Sequence, residues 1–139
     1  MVRHLASLFA LLFPLLVCSN VHAHGDVQPQ PIDTTGLPSL GDKWSETNPY
    51  RGNALALKIG SSGYNQNCAR CHGLEAISGG IAPDLRYLPL GDEGDGYFKQ
   101  AVTHGKVRDG RVYMPKFEGI LNQEGLWAIR TYIENRHEN

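Results

Sequence analysis

Five consecutive residues constrain this chain more than any other feature: Cys68-Ala69-Arg70-Cys71-His72. In a C-x-x-C-H run, two thiols three positions apart on a bent turn reach the two vinyl groups along one edge of a haem. The His that follows then lies under the iron as its proximal ligand. Thioether bonds do not dissociate, so a small domain keeps such a cofactor permanently. Other uses of the two cysteines fit less well. A disulfide between Cys68 and Cys71 leaves His72 without a role. A thioredoxin-type pair sits in a βαβ unit, and no such pattern is visible. A structural zinc site usually takes four protein ligands, and only three are grouped here. One haem c, bound covalently by Cys68 and Cys71 with His72 on the iron, is the expectation.

The N-terminus points to the compartment. The 139 residues amount to about one domain. Arg3 precedes an apolar run over residues 5–17, shorter than the ~20 residues a bilayer span needs. Val21-His22-Ala23 has the small-residue pattern of a cleavage site. Residues 1–23 are therefore expected to be a signal peptide cut after Ala23, leaving a periplasmic protein with no membrane span. Cleavage removes Cys18, so the odd count of 3 cysteines becomes the pair Cys68 and Cys71. It removes Met1 and leaves Met114 alone, and it takes Lys plus Arg from 13 to 12 against 14 Asp plus Glu. This near-neutral balance argues against nucleic-acid binding and against a polybasic membrane anchor. It also predicts no strongly cationic docking face.

Met114, followed by Pro115, is the candidate for the second axial position. Thioether sulfur is a soft ligand that favours Fe(II) and raises the potential. His104 is the competitor, but it stands at a predicted helix end beside Gly105, where an imidazolium suits the helix dipole.

The remaining pattern is helical. Residues 24–51 hold Pro29, Pro31, Pro38 and Pro49 and read as an extended arm with Trp44 as an anchor. Whether this arm wraps the domain or hangs free is not legible. Residues 52–139 form the domain. A first helix starts at Asn53 as N-cap, with Leu57, Gly60 and Tyr64 on one face. Gly60 inside a helix costs ~1 kcal/mol against Ala, which a close helix crossing would explain. A second helix runs from Asp95, its expected cap, to His104. Residues 91–95 before it read as a solvated acidic loop, with Ca²⁺ binding the less favoured use. A last helix starts at Asn122 and carries Leu126, Ile129 and Ile133. Asp109-Gly110 signals a hairpin over residues 107–112.

These residues together resemble a class I cytochrome c, an all-α fold in which the N- and C-terminal helices cross around one covalently bound haem. In that family the crossing falls near a Gly and an aromatic; Gly60 and Tyr64 match, with Ile129 and Tyr132 as their partners. The resemblance implies that Pro83 offers its carbonyl to Nδ1–H of His72, which fixes the ring. One departure is Lys116, where Met-Pro-Pro is common. Residues 64–86, 107–114 and 123–133, with the opening His24-Gly25-Asp26-Val27, are most similar to the periplasmic cytochromes c that serve PQQ-dependent alcohol (ethanol) dehydrogenases. The resemblance thus implies a one-electron carrier and not an enzyme: with both axial positions filled, substrate has no open site on the iron. The implied donor is a quinoprotein alcohol dehydrogenase, and the implied acceptor is an oxidase or another cytochrome. A monomer suffices for that task. Arg86 is a candidate partner for a haem propionate, as are Tyr113 and Trp127. Leu85, Phe98, Val102, Phe117, Leu126 and Ile81 are candidate haem-lining residues. The alternative is a haem protein whose methionine leaves, acting as a small-ligand sensor or a peroxidase-like enzyme.

Overall fold

Gly60 decides how the first and last helices meet. In the computed structural model, which describes residues 28–139, α1 spans Ala54–Asn67 and α4 spans Gln123–Asn135. A Cβ at Gly60 would lie 1.9 Å from the carbonyl oxygen of Ala128. Only a residue without one lets the two backbones touch. Tyr64 and Tyr132 then pack against each other one turn further on, their rings tilted by 43° with centroids 5.1 Å apart. The signal peptide expected over residues 1–23, and His24, lie outside the described residues.

Helix ends follow the local chemistry. The Asn53 side chain accepts from the amides of Leu55 and Ala56, and that of Asn122 from the amide of Gly125, so both act as N-caps as expected. A short helix α2, Ala69–His72, follows α1 directly, and α3 spans Gly91–His104. The hairpin is present as β1, Lys106–Arg108, and β2, Arg111–Met114. Asp109 (φ 50°) and Gly110 (φ 73°) both take left-handed backbone, as a type I′ turn requires.

Two expectations need correction. The helix expected from Asp95 starts four residues earlier, so residues 91–95 are its first turn and not a loop. Three glycines over residues 91–96 weigh against a helix by propensity, but packing overrides them. A Cβ at Gly94 would meet the Pro89 carbonyl oxygen at 1.7 Å and an Arg130 nitrogen at 2.5 Å. Asp95 is also not a cap. It is fully buried and pairs with the equally buried Arg130 at 2.8 Å.

That buried pair holds the arm down. Asp95 also receives the Asn48 amide at 2.7 Å and the Arg51 guanidinium at 2.6 Å. The Asn48 side chain donates to Thr131 and Glu134 on α4. Further up the arm, Gln123 donates to the carbonyls of Gly41 and Lys43 and accepts from the Ser45 amide. Trp44 sits edge-on to Trp127 at 6.3 Å. The extended arm is thus part of the core.

Two variants test these contacts. Gly60→Ala gains ~1 kcal/mol of helix propensity but forces the backbones apart, and overpacking costs typically ~1–3 kcal/mol. With a clash against backbone the loss wins, and the denaturant midpoint falls. Asp95→Ala strands a buried guanidinium and is expected to destabilise by about 3 kcal/mol in the same assay.

Candidate haem site

The two thiols are placed by the end of α1. Cys68 is its C-cap residue and donates its amide to the Tyr64 carbonyl at 2.8 Å. One turn of α2 then carries Cys71 and His72. Both Cys68 and Cys71 are free, the first half-buried and the second exposed. Burial, and Cys71 beside it, push the Cys68 thiol up to about 12. Tyr64 closes the turn from behind by donating its hydroxyl to the Gly73 carbonyl at 2.8 Å. Gly73 (φ +81°) must be glycine, because a Cβ would lie 1.7 Å from the Ile77 carbonyl oxygen.

The His72 ring is held by one contact. Its Nδ1 lies 2.9 Å from the Pro83 carbonyl oxygen. A carbonyl only accepts, so Nδ1 carries the proton in that bond. The neutral ring then keeps its Nε2 lone pair for a metal.

Pro83 is itself fixed by its neighbour. The Asp84 carboxylate accepts from the amides of Ser78 and Arg86 at 3.1 and 3.0 Å. It also receives Nε and Nη2 of Arg86. Hydrogen bonds from Arg86 hold the Asp84 carboxyl down at about 2, so it stays charged through the ordinary pH range. Arg86 reaches Glu138 with its remaining nitrogen at 2.6 Å. The sequence offered Arg86 as a propionate partner; here its guanidinium is engaged by two carboxylates and braces the loop that carries Pro83.

Met114 ends β2, half-buried against the core. Gly105 makes room for it: a Cβ there would lie 2.5 Å from the Met114 carbonyl oxygen. The Phe117 amide bonds the Val102 carbonyl at 2.7 Å and pins the strand's exit to α3. His104 is exposed, with Nδ1 against Thr103 and the Gln100 carbonyl, as a helix-end residue would be. Tyr113 is exposed.

Other observations also fit a haem. Trp127 is fully buried, yet its indole nitrogen has no partner among the described residues. An indole N–H only donates, so it awaits an acceptor. Phe98, Val102, Phe117 and Leu126 join the core and Leu85 packs against it. Leu74, Ile77 and Ile81, just past the motif, are 71%, 49% and 77% exposed. Apolar side chains left bare beside two free thiols suit a flat apolar group attached there.

Sequence reasoning missed the Asp95–Arg130 pair and the bracing role of Asp84. A signal for the first existed: Arg130 is the one charge in the otherwise apolar and small run over residues 125–133.

Comparison with known proteins agrees with this chemistry. The family described as cytochrome c oxidase, cbb3-type, subunit III matches residues 55–133. The chain is 60% identical to cytochrome c550 of Pseudomonas aeruginosa, over 91% of this chain and 90% of that one. It is 35% identical to quinohemoprotein alcohol dehydrogenase ADH IIB of Pseudomonas putida, over 58% of this chain but 11% of the dehydrogenase. It is 32% identical to cytochrome c6 of Euglena gracilis, over 53% of this chain and 85% of that one. No solved structure matches. The chain therefore belongs to the class I cytochromes c, mainly helical proteins with one covalently bound haem c, and is an electron carrier, not an enzyme.

Proposed function

We propose that this chain is an exported, periplasmic carrier that takes single electrons from a quinoprotein alcohol dehydrogenase and passes them on to an oxidase or another cytochrome. In this reading residues 1–23 are removed as a signal peptide, residues 24–51 form the arm, and residues 52–139 form the cytochrome domain. Cys68 and Cys71 hold the haem by thioether bonds, and His72 and Met114 take the two axial positions. Bound there, the haem supplies one-electron exchange between ferric and ferrous iron.

The contact that carries the ligand assignment is the His72 Nδ1–Pro83 bond, because it turns the other ring nitrogen into a free donor. Asp84 and Arg86 keep that carbonyl in place. Met114 is held by the Gly105 turn and by the anchored exit of its strand, so little has to move when the oxidation state changes. No helix among the described residues is long and apolar enough to cross a membrane, which suits a carrier that diffuses between partners.

Support for the donor comes from the dehydrogenase relatives. In ADH IIB and ADH-IIG of Pseudomonas putida, a stretch similar to 58% of this chain makes up 11% of each dehydrogenase. A dehydrogenase without such a stretch would need the same function from a separate chain.

Stopped-flow mixing of oxidised holoprotein with a purified, alcohol-reduced quinoprotein alcohol dehydrogenase tests the donor. Reduction within the dehydrogenase's turnover time is expected, and failure to reduce at any salt concentration would remove this class of donor. The positioning role of Asp84 predicts that Asp84→Ala raises the midpoint potential, because a loosened Pro83 carbonyl leaves His72 a weaker electron donor. An unchanged potential in a folded variant would mean that Pro83 stays in place without it.

A further inference from the structure

The cations of this chain fall into two sets. Arg51, Arg86, Lys99, Arg130 and Arg136 are all held in ion pairs. Among the described residues, seven others form none, and four of these, Lys106, Arg108, Arg111 and Lys116, lie on or beside the hairpin, with Asp109 the single acid among them. Arg70, between the two thiols, is a fifth, and it is exposed. The near-neutral sum behind the expectation of no strongly cationic docking face does not exclude such a cluster. Net charge sums over the chain and says nothing of where the charges sit.

Pairing these cations across the ladder does not stabilise the hairpin. Arg108 stands directly opposite Arg111 across the ladder, and like charges in that position destabilise a strand pair. The two-stranded sheet pairs only with itself, and an isolated hairpin is marginal in water. Val107 faces Val112 in the same register, each 67% exposed. Tyr113 is 61% exposed, with the Arg108 guanidinium 5.6 Å from its ring centroid. Side chains alternate along each strand, so the two valines share one face while Arg108, Arg111 and Tyr113 share the other, an exposed aromatic beside two unpaired guanidinium groups on a turn whose second strand ends at Met114.

We propose that the hairpin and its flank, residues 106–116, are the docking surface for the electron-donor protein, and that the face bearing Arg108, Arg111 and Tyr113 fits an acidic patch on it. This rests on the carrier reading above. A near-neutral chain with one cationic face is steered to such a partner in a single orientation. A partner seated there lies beside the residue proposed as the iron's methionine ligand. The contact is small, as transient electron-transfer contacts are.

The test uses holoprotein in three forms: wild type, Arg108→Glu/Arg111→Glu, and Lys43→Glu/Lys58→Glu. The second variant makes the same net charge change at unpaired cations outside the hairpin. Each is mixed with an alcohol-reduced quinoprotein alcohol dehydrogenase across a range of salt concentrations, and separately with a neutral hydroquinone. The hairpin variant is expected to be reduced by the dehydrogenase at least about tenfold more slowly at low salt, with a flattened salt dependence. The control variant should change less than about twofold, and the hydroquinone should reduce all three alike. Equal slowing of both variants, or no slowing of the hairpin variant, overturns the docking surface while leaving the donor reading intact. A wild type that the dehydrogenase does not reduce overturns both.

Discussion

The approach of Gly60 to the backbone of Ala128 governs the rest of the molecule. It sets the distance between the first and last helices, and so the position of the end of α1. Cys68 caps that end, and the turn bearing Cys71 and His72 continues from it without a linker. A shift at the crossing would be carried to the cofactor motif. Tyr64 adds a second tie, packing on Tyr132 on one side and holding Gly73 on the other. The turn that bears the C-x-x-C-H motif is thus built directly on this backbone contact.

The opposite side is organised by charge. Asp95 and Arg130 are buried together, with Arg51, Asn48 and Glu134 around them. Removing both charges in favour of apolar residues need not weaken the fold, whereas removing one strands the other. The pair joins three separated parts of the chain, the arm, α3 and α4, at one point. It explains why a proline-rich segment without helical periodicity is nevertheless fixed. Arg86 does similar work nearer the motif, linking Asp84 to Glu138 near the C-terminus and so bracing the Pro83 carbonyl.

Much of this was legible in the sequence, for local reasons. The C-x-x-C-H spacing, the Asn53 and Asn122 caps, and the Asp109-Gly110 turn are each decided by a few adjacent residues. Gly60 was legible because a glycine inside an apolar helix face needs a reason. The start of α3 was not, because three glycines in its first two turns hide a helix whose shape is set by Pro89 and Arg130 from elsewhere in the chain. The arm's path was not legible either, since side chains of Gln123, Asp95 and Glu134 satisfy its backbone and polar groups from far along the sequence. The cationic hairpin was hidden by arithmetic, its charges cancelled by acids at other sites. Family resemblance supplied the Pro83 contact, which spacing alone does not reveal.

The central claim is a closed iron, with His72 on one side and Met114 on the other, in a carrier that offers substrate no open position. The most direct measurement is the visible spectrum of oxidised and reduced holoprotein beside that of Met114→Ala. The account predicts a low-spin wild type with a weak far-red charge-transfer band from the methionine sulfur in the oxidised state. In the variant that band is lost while the covalent haem remains. A high-spin wild type, or a variant whose spectrum matches the wild type, would contradict it.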